Sequence, residues 1–139
     1  MATLAASLIA ASAAVVLLLG LVHLLYTFHG RRLHPRDAEL EARMRDTPPV
    51  ITRRTTMWKA WVGFNASHSL GAIFFGVVYA YLAIVHSEVA LHSPFLLCVG
   101  LALLAGYLFL CRRYFFRAPL RWMVVATALY AAGLIATIV

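Results

Sequence analysis

LAASLIAASAAVVLLLGLVHLLYTF, residues Leu4–Phe28, contains no Asp, Glu, Lys or Arg. At 1.5 Å rise per residue, a helix of this length crosses the roughly 30 Å hydrocarbon core of a bilayer. Three more uncharged apolar stretches follow it: Ala60–Val85, Pro94–Cys111 and Trp122–Val139. A soluble domain of 139 residues has no use for four such runs. The pattern predicts an all-α, polytopic membrane protein, with four transmembrane helices in an up-down bundle forming one domain over residues 1–139. The expected helices run about 4–28, 58–85, 94–111 and 120–139.

Composition agrees. Hydrophobic residues make up 63% of the chain and charged residues 12%, with a mean hydropathy of +0.86, far from the soluble globular mix. The net charge of +7 does not point to nucleic acid, because the positive residues flank the spans. Arg31, Arg32, Arg36, Arg43, Arg45, Arg53, Arg54 and Lys59 lie between spans one and two, and Arg112, Arg113, Arg117 and Arg121 between spans three and four. The connection His86–Ser93 has none and carries Glu88. By the positive-inside rule the basic segments are cytoplasmic and both termini periplasmic or exterior. The expected location is a cell membrane that the chain crosses several times. Residues 1–28 lack the basic start of a signal peptide and their apolar run is too long for one, so they read as a retained helix.

Between spans one and two, PRDAELEARMRD (Pro35–Asp46) predicts a short amphipathic helix at the cytoplasmic headgroup level, with Pro35 as its first residue. Glu39–Arg43 and Glu41–Arg45 pair at i,i+4, and Leu40–Met44 form the apolar face. Pro48-Pro49 break the chain before the next helix. Cys98 and Cys111 lie too far apart on one helix to pair, and read as small buried side chains.

Small or polar residues at helical spacing mark faces that meet other helices. In span one these are Ser12, Val16, Gly20, His23 and Thr27, with Leu17, Leu18 and Leu25 toward lipid. In span two, Gly63, Ser67 and Gly71 form a small-xxx-small stripe that Gly76 extends. In span three, Ala102 and Gly106 are expected to meet Ala128, Ala132 and Ala136 of span four. Other membrane subunits, a second copy of the chain and membrane lipids are the expected partners.

The polar residues inside the spans are the candidate chemistry. Trp61, Asn65 and His68 share one face of span two, with Ser69 at its edge. His23 lies about 9 Å inside span one, so the two groups fall at one level. Polar groups at such depth turn toward the bundle interior. The plain reading is an interhelical hydrogen-bond set. The alternatives are haem iron between His23 and His68, or a quinone or lipid-headgroup pocket with Tyr26 and Trp61 at its mouth. In the exterior loop, His86, Glu88 and His92 have metal-ligand chemistry without a recognised ligand spacing. No span contains Asp or Glu, so carboxylate relays and di-metal carboxylate sites are excluded there. HExxH, GxSxG, phosphate-cradling and dinucleotide-binding glycine motifs are all missing. A non-enzymatic membrane subunit is the expected function.

LHPRD (Leu33–Asp37), MWKAWVGFNASHSLGAIFFG (Met57–Gly76) and SPFLL (Ser93–Leu97) resemble segments of a family of uncharacterised small bacterial four-helix integral membrane proteins. The resemblance covers essentially the whole chain. It implies the four-helix architecture and a bacterial origin, and it implies no activity.

Overall fold

A computed structural model describes residues 2–138. It consists of helices α1 (Ala2–Phe28), α2 (Ala38–Asp46), α3 (Met57–Val85), α4 (Ser87–His92), α5 (Pro94–Tyr114) and α6 (Arg117–Ile138), with no strand among the described residues. α1, α3, α5 and α6 are long and apolar enough to cross a membrane, as a four-helix membrane bundle requires. Several boundaries differ from expectation. α2 begins at Ala38, because the Asp37 carboxylate accepts from Glu39 N (2.9 Å) and Leu40 N (3.4 Å) and so caps the helix. Gly30, at φ +80°, turns the chain out of α1 in a conformation that suits glycine. The connection between α3 and α5 is partly helical, as α4, rather than a plain loop. α5 continues to Tyr114 and α6 starts at Arg117, so only Phe115 and Phe116 turn. Arginine is a good helix former, and Pro119 sits in the first turn of α6, where its missing N–H costs no intrahelical bond.

The chain divides into two compact units. The first comprises the chain up to Leu19 and from Ala72 onward. α1 supplies Ala5, Ile9, Ala13 and Val16, and α3 supplies Ala72, Phe75, Tyr79 and Ala83, each set at helical spacing. Leu91 of α4, Leu104 and Cys111 of α5, and Met123, Ala126 and Tyr130 of α6 complete the core. Glycines allow the close approaches. A Cβ on Gly76 would lie 2.8 Å from Leu17 Cα and 2.9 Å from Ala13 O. One on Gly133 would lie 2.8 Å from Ile9 Cγ1, and one on Gly100 would overlap the Tyr130 hydroxyl. Ser12 Oγ donates to Ala126 O (2.7 Å), Tyr79 to Leu96 O (2.6 Å) and Tyr130 to Leu97 O (3.1 Å).

These contacts revise several expected faces. Ser12, Val16 and Gly20 are buried, and Leu18 and Leu25 are exposed, as expected. Leu17 is half-buried against Gly76 rather than open to lipid. α6 buries Met123, Ala126, Tyr130 and Gly133, while Ala128 and Ala132 are exposed, as are Ala102 and Gly106 of α5. The helix is rotated to bury Tyr130, whose ring gains more contact area than the alanines and whose hydroxyl finds a carbonyl. Gly63, Ser67 and Gly71 are exposed, unlike the buried Gly76. Cys98 is exposed, and only Cys111 is buried.

The second unit, Gly20–Gly71, contains the end of α1, the connecting segment with α2, and the start of α3. It holds His23, Tyr26, Trp61, Asn65, His68 and Ser69.

Candidate functional site

Within the second unit, α1 brings His23 against α3. His23 Nε2 lies 3.0 Å from Asn65 Oδ1, and Asn65 Nδ2 donates to Trp61 O one turn earlier at 2.8 Å. The second bond orients the carboxamide so that Oδ1 faces His23. An amide oxygen can only accept, so His23 carries a hydrogen on Nε2. The His23 and His68 rings pack edge to face, with centroids 5.3 Å apart and an interplanar angle of 75°. Ser69 is fully buried and donates to Asn65 O at 2.8 Å. His23 O accepts from Thr27 Oγ1 at 2.8 Å. The structure therefore brings together His23, Asn65 and His68, with Ser69 bonded to the Asn65 backbone.

Tyr26 and Trp61 are tied to the loop that follows α1. The Arg32 guanidinium donates to the Tyr26 hydroxyl, and the Trp61 indole N–H donates to Leu33 O at 3.0 Å. A cavity of about 10 Å³ is lined by Thr27, Leu33, His34, Trp58, Trp61, Val62 and Asn65. That volume admits a single water, not a quinone ring. Haem does not fit between the two imidazoles either. Two axial ligands need an iron between their nitrogens and a macrocycle between their rings, with metal–nitrogen bonds of about 2 Å. Here the rings are in direct contact, and His23 Nε2 is committed to Asn65.

A second cluster lies in the connecting segment, where His34 reads in the sequence as an ordinary juxtamembrane residue. Glu41 Oε2 contacts His34 Nδ1 at 3.1 Å and Arg31 at 3.2 Å, while Oε1 accepts from Arg45 at 2.7 Å. Its side chain is only 13% exposed. The Arg45 and His34 bonds hold its carboxyl below the ordinary glutamate value. Trp58 packs against both, with the His34 ring at 4.7 Å and the Arg45 guanidinium at 4.5 Å from its centroid. The i,i+4 spacing signals Glu41–Arg45. Nothing in the spacing signals His34 or Trp58, which a loop and another helix bring in.

His86, Glu88 and His92 do not converge. His92 Nδ1 pairs with Glu88 Oε2 at 3.3 Å, and His86 Nε2 meets the Tyr81 hydroxyl at 3.2 Å. No group of three metal-ligating side chains forms among the described residues.

The chain matches no protein-family profile, no curated protein and no solved structure. The fold itself gives the class: an all-helical, multi-pass membrane protein.

Proposed function

We propose that the protein is a non-enzymatic subunit of the bacterial cell membrane that associates through the outward face of α3 with another membrane subunit or a second copy of itself. The supporting observation is that Gly63, Ser67 and Gly71 are exposed, with nothing within 4 Å of a Cβ placed on Gly63. Small-xxx-small faces let helix backbones approach closely in lipid, where hydrophobic drive between helices is weak. Phe64 and Phe74, 74% and 72% exposed, flank the face. In this reading the His23–Asn65–His68 set locks α1 to α3 and binds no ligand.

Oxidative cross-linking of S67C in native membranes, in a C98S/C111S background, tests the association. A product of twice the 15.3 kDa chain mass indicates self-association, and a different adduct indicates a separate subunit. No cross-link, together with a clean monomer by native mass spectrometry, overturns the reading. A Soret band, a co-purifying quinone or a tightly held lipid in the purified protein would favour a ligand site at His23 and His68 instead.

The same proposal puts the basic segments in the cytoplasm and both termini outside. Ala42 and Val89 are exposed. An impermeant maleimide on intact cells is expected to label V89C and spare A42C, and the reverse pattern inverts the topology.

A further inference from the structure

Pro49–Thr52 form a turn closed by the Thr52 N–H donating to Pro49 O at 3.2 Å. Its two central residues are Val50 and Ile51, at positions usually taken by Gly, Asn, Asp or Ser. Their exposures of 109% and 91% exceed those of every other large apolar residue described. Most other strongly exposed apolar side chains lie on helices apolar enough to be covered by lipid. Val50 and Ile51 lie outside all of them.

The turn is tethered to the start of a span. Met57 N donates to Thr47 O at 2.8 Å and closes the base of the loop. Thr56 caps α3, its Oγ1 accepting from Lys59 N at 3.3 Å. Five residues, Thr52–Thr56, separate Ile51 from Met57, so the tip stays within about 20 Å of the end of the span. Trp58, the next residue, is of a type that sits at membrane interfaces. Arg53 and Arg54 directly follow the turn and are exposed, while Arg54 N is held by Thr52 Oγ1 at 3.2 Å.

We propose that Val50 and Ile51 insert into the headgroup–acyl boundary of the leaflet beside them, with Arg53 and Arg54 against anionic lipid phosphates. An apolar tip next to paired guanidiniums matches the two layers of a bilayer surface in order, acyl chain then phosphate. The tether keeps that surface always within reach. The bilayer therefore fits better than a soluble partner, which would have to supply both an apolar pocket and anions.

The test labels I51C and, separately, A42C with an environment-sensitive fluorophore, in a C98S/C111S background in lipid nanodiscs. Doxyl-labelled phospholipid should quench the I51C label severalfold more strongly than the A42C label, and iodide should quench it severalfold less. Replacing phosphatidylcholine with a phosphatidylcholine–phosphatidylglycerol mixture should deepen the lipid quenching. R53Q/R54Q should remove that lipid-dependent gain. Equal iodide access at both positions overturns the proposal. Shielding in native membranes that is absent in nanodiscs also overturns it, by assigning the tip to a protein. No loss on R53Q/R54Q overturns the assigned role of the arginines.

Discussion

The two compact units are held by different forces. Every member of the apolar core cluster lies in the unit that runs up to Leu19 and from Ala72 onward. There, glycines let backbones touch, and hydroxyls of Ser12, Tyr79 and Tyr130 are spent on backbone carbonyls. In Gly20–Gly71 polar and aromatic contacts join segments distant in the chain: His23–Asn65, His23–His68, Trp61–Leu33, His34–Trp58 and Arg45–Trp58. Helix association in lipid draws on close packing and on hydrogen bonding, and this chain separates the two by region. The first unit should therefore be sensitive to side-chain volume, and the second to the loss of a polar partner.

The largest effect is expected where volume cannot be accommodated. Gly76→Val places atoms against the backbone of Leu17 and Ala13, and overpacking of this kind costs about 1–3 kcal/mol. Unfolding in mixed detergent micelles, followed by circular dichroism, measures the loss. Wild-type stability for this variant would break the comparison at its stronger end.

A smaller loss is expected from His23→Leu, which leaves Asn65 Oδ1 without its imidazole partner. Side-chain hydrogen bonds between membrane helices average about 0.6 kcal/mol and reach about 1.7 kcal/mol. In a double-mutant cycle, His23→Leu and Asn65→Leu together should cost less than the sum of the two. Strict additivity would remove the bond from the account of the second unit.

Glu41→Gln gives a weaker, pH-dependent effect. Arg45 and His34 depress the folded-state carboxyl below its ordinary value near 4.5, and Arg31 also faces it. A depressed pKa contributes stability that is complete above the unfolded value and is lost as pH falls through the folded value. Wild type should therefore lose stability on acidification below about 4.5, and the glutamine variant should lack that component. Identical pH profiles for the two proteins would show that Glu41 does not tie the segment together.

The smallest effect sharpens the contrast from the other side. A Cβ on Gly63 or on Gly106 meets nothing within 4 Å. Alanine at either position should leave the isolated chain as stable as wild type or slightly more so, since glycine is about 1 kcal/mol poorer than alanine in a helix. Gly63→Ile should likewise spare the monomer while weakening the S67C cross-link. A large monomer loss for Gly63→Ala would mean that this face is packed within the chain after all.

Much of the architecture was legible because its signals are one-dimensional. Uncharged apolar runs within the length range of membrane-spanning helices announce the four long helices, and i,i+4 spacing announces Glu39–Arg43 and Glu41–Arg45, observed at 3.6 and 2.7 Å. The His23–Asn65 pair was legible in part, since polar groups at matching depth on consecutive spans favour meeting. Helix rotation was less so. Small residues surround both α5 and α6 in sequence, so several faces have similar composition. Gly100 and Gly133, rather than Gly106, take the close contacts because Tyr130 and Ile9 happen to face them.

Hydropathy alone determined how many helices can cross the membrane, and charge placement alone set the expected orientation, because both depend on transfer between water and lipid rather than on neighbours. Which glycine is crowded, which stripe stays open, that His34 and Trp58 join Glu41, and that Val50 and Ile51 stand clear of every helix were decided by tertiary structure. Those properties belong to pairs of segments distant in the chain, and no local period in the sequence encodes them.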